Sequence, residues 1–220
     1  MGDGERIDWA QPQVRAQGMK TIEGATAKLF IDGKLFLIVG PSGTGKTTLV
    51  HELKECGLSE VVSVTTRAPR LGEVEGVHYN FITREYFRQL VERDEFIEHV
   101  EYNGNLYGST KSAVLGLLAK GDALIIVEPH GAEQFKKVFP HFVVSIFLKP
   151  PAVEELRRRM VARGGKPELI EKRLATVQKE AEFESEANYV IQPSTPENAR
   201  FVALKIIDEE RSGDYVTRGG

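Results

Sequence analysis

The sequence predicts an α/β protein in which helices flank a parallel β-sheet, and three observations support this prediction. At residues 35–49 an apolar strand runs into a glycine-rich turn and then into a helix. Residues 123–127 and 143–148 are continuous apolar runs, which are typical of strands covered on both faces. Segments with helical spacing lie between and after these runs, and such strand-helix alternation is typical of a parallel sheet.

The first elements surround the glycine-rich turn. We expect a short strand at 28–31, an Asp32-Gly33 turn and a second strand at 35–39. A helix should follow at 47–55 and end near Gly57. We also expect residues 1–33 to be an N-terminal extension that is partly flexible, and residues 211–220 to be a flexible tail.

After Val61, a segment with short β-like runs separated by Pro, Gly and charged residues interrupts the strand-helix alternation. It contains short β-like runs, two segments with helical spacing and one alternating strand, with Thr83 as a candidate helix N-cap. The predicted strands are 63–70, 76–81 and 96–102, and the predicted helices are 83–91 and 110–118. We interpret this block as an inserted, β-rich, substrate-binding piece.

The alternation resumes in the last hundred residues. We predict strands at 123–127, 143–148 and 189–191, and helices at 133–138, 153–161, 169–184 and 196–209. The helix expected at 169–184 is strongly charged.

Composition excludes several classes of protein. The formal net charge is −3 over 220 residues, so nothing favours nucleic acid or an anionic membrane as a partner. The lone Cys56 excludes an internal disulfide framework, and the scattered histidines give no zinc-ligand spacing. The N-terminus lacks the apolar core of a signal peptide. We therefore expect a cytoplasmic protein, either a monomer or a homodimer, that binds neither nucleic acid nor a membrane.

The glycine-rich turn matches the motif G-x-x-x-x-G-K-[ST] without a mismatch. Glycines let backbone N–H groups turn inward around phosphate oxygens at a helix N-terminus, where the helix dipole favours anions. Lys46 is expected to reach the β- and γ-phosphates, and the Thr47 hydroxyl to bind Mg²⁺. The motif therefore predicts nucleoside triphosphate binding, and the candidate ATP-binding residues are Gly40, Pro41, Ser42, Gly43, Thr44, Gly45, Lys46, Thr47 and Thr48.

Three further blocks carry a resemblance to a known family. They are Ser63-Val64-Thr65-Thr66-Arg67-Ala68-Pro69-Arg70 followed by Gly72-Glu73, Gly76, Tyr79 and Phe81; then Phe96-Ile97-Glu98; then Gly104-Asn105-Leu106-Tyr107-Gly108-Ser109. Together with the glycine-rich turn they resemble the guanylate kinases. The resemblance implies a P-loop kinase core over 34–210 with a GMP-binding insertion near 63–112 and a helical lid near 155–180.

The resemblance also implies an activity, which is transfer of the γ-phosphoryl of MgATP to GMP or dGMP. By position, the implied clamp on the GMP phosphate is Arg67, Arg70, Tyr79 and Tyr107. The implied guanine-reading residues are Ser63, Glu98 and Ser109, with Glu128 as a further GMP-binding candidate. The implied catalytic cations are Lys46, Arg67, Arg163 and Arg173.

The residue types suit this chemistry without reference to the family. A phosphate monoester favours guanidinium forks together with neutral O–H donors. A carboxylate such as that of Glu98 can accept from both N1–H and the exocyclic amine of guanine. Adenine has an acceptor at N1 and no 2-amino group, so it would leave the carboxylate unpaired.

Three segments depart from the family's pattern. The usual apolar-Asp-x-Asp-x-Gln-Gly is replaced by a segment ending in Glu128-Pro129-His130-Gly131. An Asn-Asp pair near the ATP base is replaced by Gln192-Pro193-Ser194, and the lid segment 164–167 is shortened. Two alternatives therefore stay open: a kinase of another nucleoside monophosphate, including a modified one, and a non-catalytic module of the same fold that binds proteins.

Overall fold

A computed structural model describes residues 13–14, 20–22, 29–31, 33–102, 104–162, 164 and 167–212. In chain order, the strands of this part are β1 (Gln13–Val14), β2 (Lys20–Ile22), β3 (Leu29–Ile31), β4 (Leu35–Val39), β5 (Ser59–Glu60), β6 (Val64–Thr65), β7 (Asn80–Phe81), β8 (Phe96–Tyr102), β9 (Asn105–Thr110), β10 (Ala123–Ile126), β11 (Val143–Leu148) and β12 (Tyr189–Ile191). The helices are α1 (Lys46–Glu55), α2 (Arg84–Glu92), α3 (Lys111–Leu118), α4 (Pro129–Val138), α5 (Val153–Ala162), α6 (Pro167–Ala181) and α7 (Pro196–Ser212), and a 3₁₀ helix spans Glu182–Glu186.

The central sheet has five strands in the order β12-β11-β4-β10-β5. The pairs β10–β5 and β11–β12 are parallel, with Ala123 opposite Ser59 and Ile146 opposite Tyr189. All five side chains of β4 are buried, as expected for a strand covered on both faces. The predicted α/β class with a parallel sheet is confirmed.

A second sheet forms the β-rich insertion, with four strands in the order β7-β6-β9-β8. β8 and β9 are antiparallel, and β6 pairs antiparallel with β9 and parallel with β7. Phe87 of α2 stacks on Phe96 of β8 at a ring-centroid distance of 4.5 Å, and both rings are buried beside Val64. This small core stabilises the surface on which most predicted acceptor-site residues lie.

The N-terminal segment differs from the expected arrangement. β1, β2 and β3 form a three-stranded antiparallel sheet, in which Lys20 pairs with Ile31. β3 and β4 therefore lie in different sheets, and Asp32 of the expected Asp32-Gly33 turn lies outside the described residues. Gly33 is explained by a close backbone approach, because a Cβ at this position would lie 1.9 Å from the carbonyl oxygen of Gly121.

Most helix boundaries agree with the sequence prediction, and the exceptions have physical causes. The Thr83 and Thr110 side chains accept hydrogen bonds from the backbone N–H groups of Tyr86 and Ala113, and so cap α2 and α3. α4 begins at Pro129, four residues earlier than predicted, because the first helical position does not need the N–H that proline lacks. The helix expected at 169–184 divides into α6 and the 3₁₀ helix. α7 extends to Ser212, so the first two residues of the expected tail are helical.

The chain divides into two compact units. The first comprises Met1–Leu35, Ser59–Ile125 and Glu133–Val143, and the second comprises Phe36–Leu58, Ile126–Ala132 and Val144–Gly220. The β-rich insertion belongs to the first unit, and the glycine-rich turn with α5 and α6 belongs to the second. No helix in the described part of the chain is long and apolar enough to cross a membrane.

One partly buried polar contact in the second unit predicts a stability effect. The Asn188 Oδ1 atom accepts hydrogen bonds from the backbone N–H (2.9 Å) and the Oγ (2.8 Å) of Ser145, whose side chain is fully buried in β11. Asn188→Ala should lower the free energy of unfolding by about 2 kcal/mol, because it leaves buried donors without an acceptor. Urea denaturation measures this, with Asn198→Ala as the control.

In the control, the Asn198 side chain accepts a long, exposed hydrogen bond of 3.4 Å from the backbone N–H of Ser194. We expect that variant to change the free energy of unfolding by less than about 0.5 kcal/mol. Equal effects of the two substitutions would contradict this account of the Ser145 contact.

Candidate functional site

The glycine-rich turn follows β4 and runs into the first turn of α1, and its residues 40–47 will be called the phosphate loop. Gly40, Gly43 and Gly45 have φ angles of 146°, 88° and 102°, which side chains with a Cβ rarely adopt. Gly40 is also sterically required, since a Cβ there would lie 2.5 Å from the carbonyl oxygen of Leu148. The loop is therefore a backbone structure that depends on its glycines, as the motif predicts.

Lys46, the first residue of α1, has its ammonium group folded back onto the loop. It donates hydrogen bonds to the carbonyl oxygens of Gly40 and Pro41, the latter at 2.9 Å. Burial lowers the pKa of Lys46, and the nearby carboxylates of Glu180 and Glu128 oppose that shift. The cation is thus held inside the loop, where an anionic ligand would replace its carbonyl partners at little cost in reorganisation.

The hydroxyl groups at the start of α1 lie toward solvent. Thr47 and Thr48 are exposed, whereas Thr44 is buried and donates to the carbonyl oxygen of Pro41 at 2.9 Å. Within the described residues, no cluster of three or more His, Cys, Asp and Glu side chains could hold a metal ion. One exposed threonine hydroxyl at a helix N-terminus suits Mg²⁺ that is bound largely through nucleotide phosphates.

A cavity in the second unit lies beside the phosphate loop. Its lining comes from the loop, α1, the end of β11 with the segment after it, α5, the segment after β12 and the start of α7. The lining residues are Gly43, Thr44, Gly45, Thr48, Leu49, Leu148, Pro151, Arg159, Pro193, Thr195, Pro196 and Ala199. Arg159 is positioned by Glu155, which accepts from its Nε at 2.7 Å. Hydrogen bonds from Arg158 and Arg159 lower the pKa of Glu155 to about 2. Pro193, which departs from the family's pattern, therefore lines the same cavity as Arg159, whose orientation is held by Glu155.

The predicted lid arginines are described only in part. Arg173 is exposed on α6, and Arg163 lies outside the described residues. An ion pair with two hydrogen bonds between Arg157 and Glu171 links α5 to α6. Glu180, which the sequence analysis did not select, also lies on α6, and its pKa is raised by burial and by Glu128.

Three predicted guanine-reading residues are brought together in the first unit. Ser109 Oγ donates to Glu98 Oε1 at 2.8 Å, and Ser63 Oγ lies 3.1 Å from Ser109 Oγ. Because the single Ser109 hydroxyl proton is directed at Glu98, the Ser63 hydroxyl is the donor to Ser109. Ser109 is buried and Glu98 is half-buried, so the serine orients the carboxylate.

The four predicted phosphate-binding residues also lie in the first unit. The Tyr79 and Tyr107 rings meet edge to face at 6.0 Å, and the Arg67 guanidinium lies 5.5 Å from the Tyr79 ring centroid. The pKa of Tyr79 is raised by burial and by Tyr107. The Arg70 side chain is exposed.

Sequence reasoning missed Glu73 as a partner of this group. Glu73 accepts two hydrogen bonds from the Arg67 guanidinium, at 2.8 and 2.9 Å, and one from the backbone N–H of Arg70 at 2.7 Å. Glu73 is part of the sequence block that carries the family resemblance. Sequence spacing alone, however, does not show which arginine its carboxylate contacts. Glu128, the remaining candidate, is exposed just before α4 and belongs to the second unit.

The Arg67–Glu73 contact predicts a measurable pKa change. The pKa of Glu73 is lowered from 4.5 to about 2, first by the Arg67 hydrogen bonds and then by the Arg70 backbone N–H. In Arg67→Ala the pKa of Glu73 should move upward toward its ordinary value, because the larger of these contributions is lost. Carboxyl-carbon NMR titration measures this, and an unchanged pKa would contradict the assigned contact.

Comparison with known proteins places these observations in a family. The guanylate kinase family model matches residues 32–209. A guanylate kinase of Synechococcus sp. (strain JA-3-3Ab) is 44% identical over 76% of this chain and 78% of its own length. One from Thermus thermophilus is 41% identical over 82% of this chain and 84% of its own length.

A solved structure agrees with the sequence relatives. The crystal structure of guanylate kinase from Anaplasma phagocytophilum aligns with a TM-score of 0.62 and 32% identity. The alignment covers 81% of this chain and 86% of that one. Because the guanylate kinase family model matches residues 32–209, which are most of this chain, the chain belongs to the guanylate kinase family.

Proposed function

We propose that this protein is an ATP-dependent guanylate kinase, which transfers the γ-phosphoryl of ATP to GMP or dGMP and yields ADP and GDP or dGDP. Its relatives carry the name guanylate kinase at about 40% identity over most of the chain. The single observation that carries the proposal beyond family membership is the hydrogen-bonded chain Ser63–Ser109–Glu98.

The Ser63–Ser109–Glu98 chain suits guanine for a chemical reason. The Ser109 hydroxyl holds one oxygen of the Glu98 carboxylate, and so sets the direction of its remaining lone pairs. Two parallel N–H donors, as on the Watson–Crick edge of guanine, pair with a carboxylate held in this way. Since Ser63 donates to Ser109, its own oxygen is available as an acceptor for a further N–H.

The group around Arg67 suits the phosphate of the acceptor nucleotide. Arg67 and Arg70 would supply charged donors, and Tyr79 and Tyr107 would supply neutral hydroxyls. Guanidinium groups match phosphate oxygens in geometry and charge, and a raised Tyr79 pKa keeps that hydroxyl protonated as a donor. We assign these four residues to the GMP phosphate and Ser63, Glu98 and Ser109 to the base, with Glu128 as a further GMP ligand.

For the transfer itself, we assign the phosphate loop (residues 40–47) and Thr48 to ATP. Phosphoryl transfer relies on positioning and on cations that neutralise charge on the transferring oxygens, rather than on a general base. Lys46 would leave its loop carbonyls to contact the β- and γ-phosphates, while Arg67, Arg163 and Arg173 would add positive charge. Thr47 would hold Mg²⁺, which when bound with ATP neutralises phosphate charge.

The remaining assignments follow the same proposal. We propose a kinase domain over residues 34–210, with its GMP-binding part near 63–112 and its lid near 155–180. The cytoplasmic location, the monomeric or homodimeric state and the lack of nucleic-acid or membrane partners stay predictions. Because Pro129 and Pro193 depart from the family's pattern, the test compares several acceptor nucleotides.

Steady-state ADP release tests the proposal, with MgATP as donor and GMP, dGMP, AMP, dCMP and dTMP as acceptors. We expect selective turnover with GMP or dGMP. Turnover only with another monophosphate would favour a re-specialised kinase. Turnover with none, together with binding of a protein partner but not of MgATP, would favour a non-catalytic binding module.

A further inference from the structure

The carboxylate of Glu73 holds two predicted phosphate ligands at once. Its Oε1 accepts from Arg67 Nη2 at 2.8 Å, and its Oε2 accepts from Arg67 Nη1 at 2.9 Å. The same Oε2 accepts from the backbone N–H of Arg70 at 2.7 Å. One side chain therefore determines both the orientation of the Arg67 guanidinium and the backbone at Arg70.

This pair differs from an ordinary surface ion pair. The side chains of Arg67 and Glu73 are only 13% and 17% exposed, whereas those of the pair Arg84–Glu101 in the same unit are 43% and 57% exposed. Arg67 also lies 5.5 Å and 5.8 Å from the ring centroids of Tyr79 and Phe81. Two hydrogen bonds and two rings restrict the guanidinium to one plane and one direction.

Not all N–H donors of the Arg67 guanidinium are used by the contacts with Glu73 and Ala68. Arg67 has five N–H donors. Nη1 gives one to Glu73 and one to the carbonyl oxygen of Ala68 at 2.8 Å, and Nη2 gives one to Glu73. Because Glu73 occupies the end of the guanidinium, Nε–H and the second Nη2 hydrogen are the donors not used by Glu73 or Ala68. The Tyr107 hydroxyl also lies beside this guanidinium and, after Glu73, contributes to the raised pKa of Arg67.

We propose that Glu73 is a positioning residue for the acceptor phosphate, which directs the Nε–Nη2 side of Arg67 toward it and holds Arg70 in place. This inference rests on the proposed function and extends it to a residue that would not itself contact the nucleotide. Since Glu73 repels a phosphate dianion, its effect on binding comes only through the arginines. Removal of Glu73 should therefore weaken GMP binding, although it removes a negative charge from the site.

The test measures KM for GMP and for ATP in Glu73→Ala and Glu73→Gln, and in each combined with Arg67→Ala. We expect Glu73→Ala to raise KM for GMP by about tenfold or more, with KM for ATP changed less than about twofold, because misplacing a ligand by about 1 Å has effects of this size. Glu73→Gln should fall between wild type and Glu73→Ala, since the amide keeps one acceptor oxygen. In the Arg67→Ala background, most of the Glu73 effect should disappear.

Glu75→Ala is the matched control. Glu75 lies in the same loop and accepts from the backbone N–H of Phe81 at 2.9 Å. It tests whether any loss of a loop carboxylate raises KM, and we expect KM for GMP to change less than about twofold.

Three results would overturn the positioning role while the wild type still phosphorylates GMP. They are an unchanged or lowered KM for GMP in both Glu73 variants, an equal rise in Glu75→Ala, and an undiminished Glu73 effect without Arg67. A wild-type protein that does not phosphorylate GMP would instead contradict the proposed function, and this inference with it.

Discussion

Replacement of Lys46 by alanine should lower kcat for GMP phosphorylation by at least about 100-fold, the size of effect seen when one preorganised charge-stabilising donor is removed. The ammonium group is held by the carbonyl oxygens of Gly40 and Pro41 and is partly buried at the start of α1. In that position it can follow the negative charge that develops on the transferring oxygens. Initial rates of ADP formation at saturating MgATP and GMP measure the effect.

Lys54→Ala is the control for this prediction. Lys54 is an exposed lysine in the last turn of the same helix, α1, away from the phosphate loop. Its removal should change kcat by less than about twofold, as for most surface substitutions. Comparable losses in the two variants, or a Lys46→Ala enzyme with wild-type kcat, would show that the loop cation has no special role in the transfer.

The second large effect concerns choice of the base. Glu98→Gln should reduce the preference for GMP over AMP, expressed as a ratio of kcat/KM values, by about 100-fold or more, because polar sites that pair a substrate's hydrogen bonds discriminate by several powers of ten. The amide presents one acceptor and one donor, so it no longer matches the two N–H donors of guanine. The donor would also favour the acceptor at N1 of adenine.

Glu101→Gln serves as the comparison for Glu98→Gln. Both residues lie on β8, but Glu101 is exposed and pairs with Arg84 at 3.3 Å. We expect the Glu101 variant to keep the wild-type preference for GMP. If Glu98→Gln keeps it too, the Ser63–Ser109–Glu98 chain does not read the base.

Elements with strong local signals were predictable from sequence. Strands β8 and β11 have the predicted bounds. The alternating pattern of β8 and the continuous apolar run of β11 are both typical of β-strands. Thr83 caps α2 as expected, because its side chain acts within its own turn. The motif also located the phosphate loop, whose glycines have the left-handed conformations that the motif requires.

Features that depend on distant partners were not predictable in this way. The Asp32-Gly33 step suggested a turn, whereas Gly33 is explained by its approach to Gly121, 88 residues later in the chain. The helix expected from residue 133 begins instead at Pro129. No sequence pattern marks Glu73 or Glu180 as a site residue. Their roles depend on cations that the fold places near them, Arg67 beside Glu73 and Lys46 near Glu180.

Transfer of a phosphoryl group from ATP to a guanine nucleotide by this chain has a direct signature, which is the formation of GDP. Phosphorus NMR of wild-type protein with MgATP and GMP tests it most directly, because it identifies the product that receives the phosphoryl group. We expect one GDP for each ADP, no accumulation of inorganic phosphate, and formation of both products at least about 100-fold more slowly in Lys46→Ala. ADP accompanied by inorganic phosphate, or no conversion of GMP at all, would contradict this expectation.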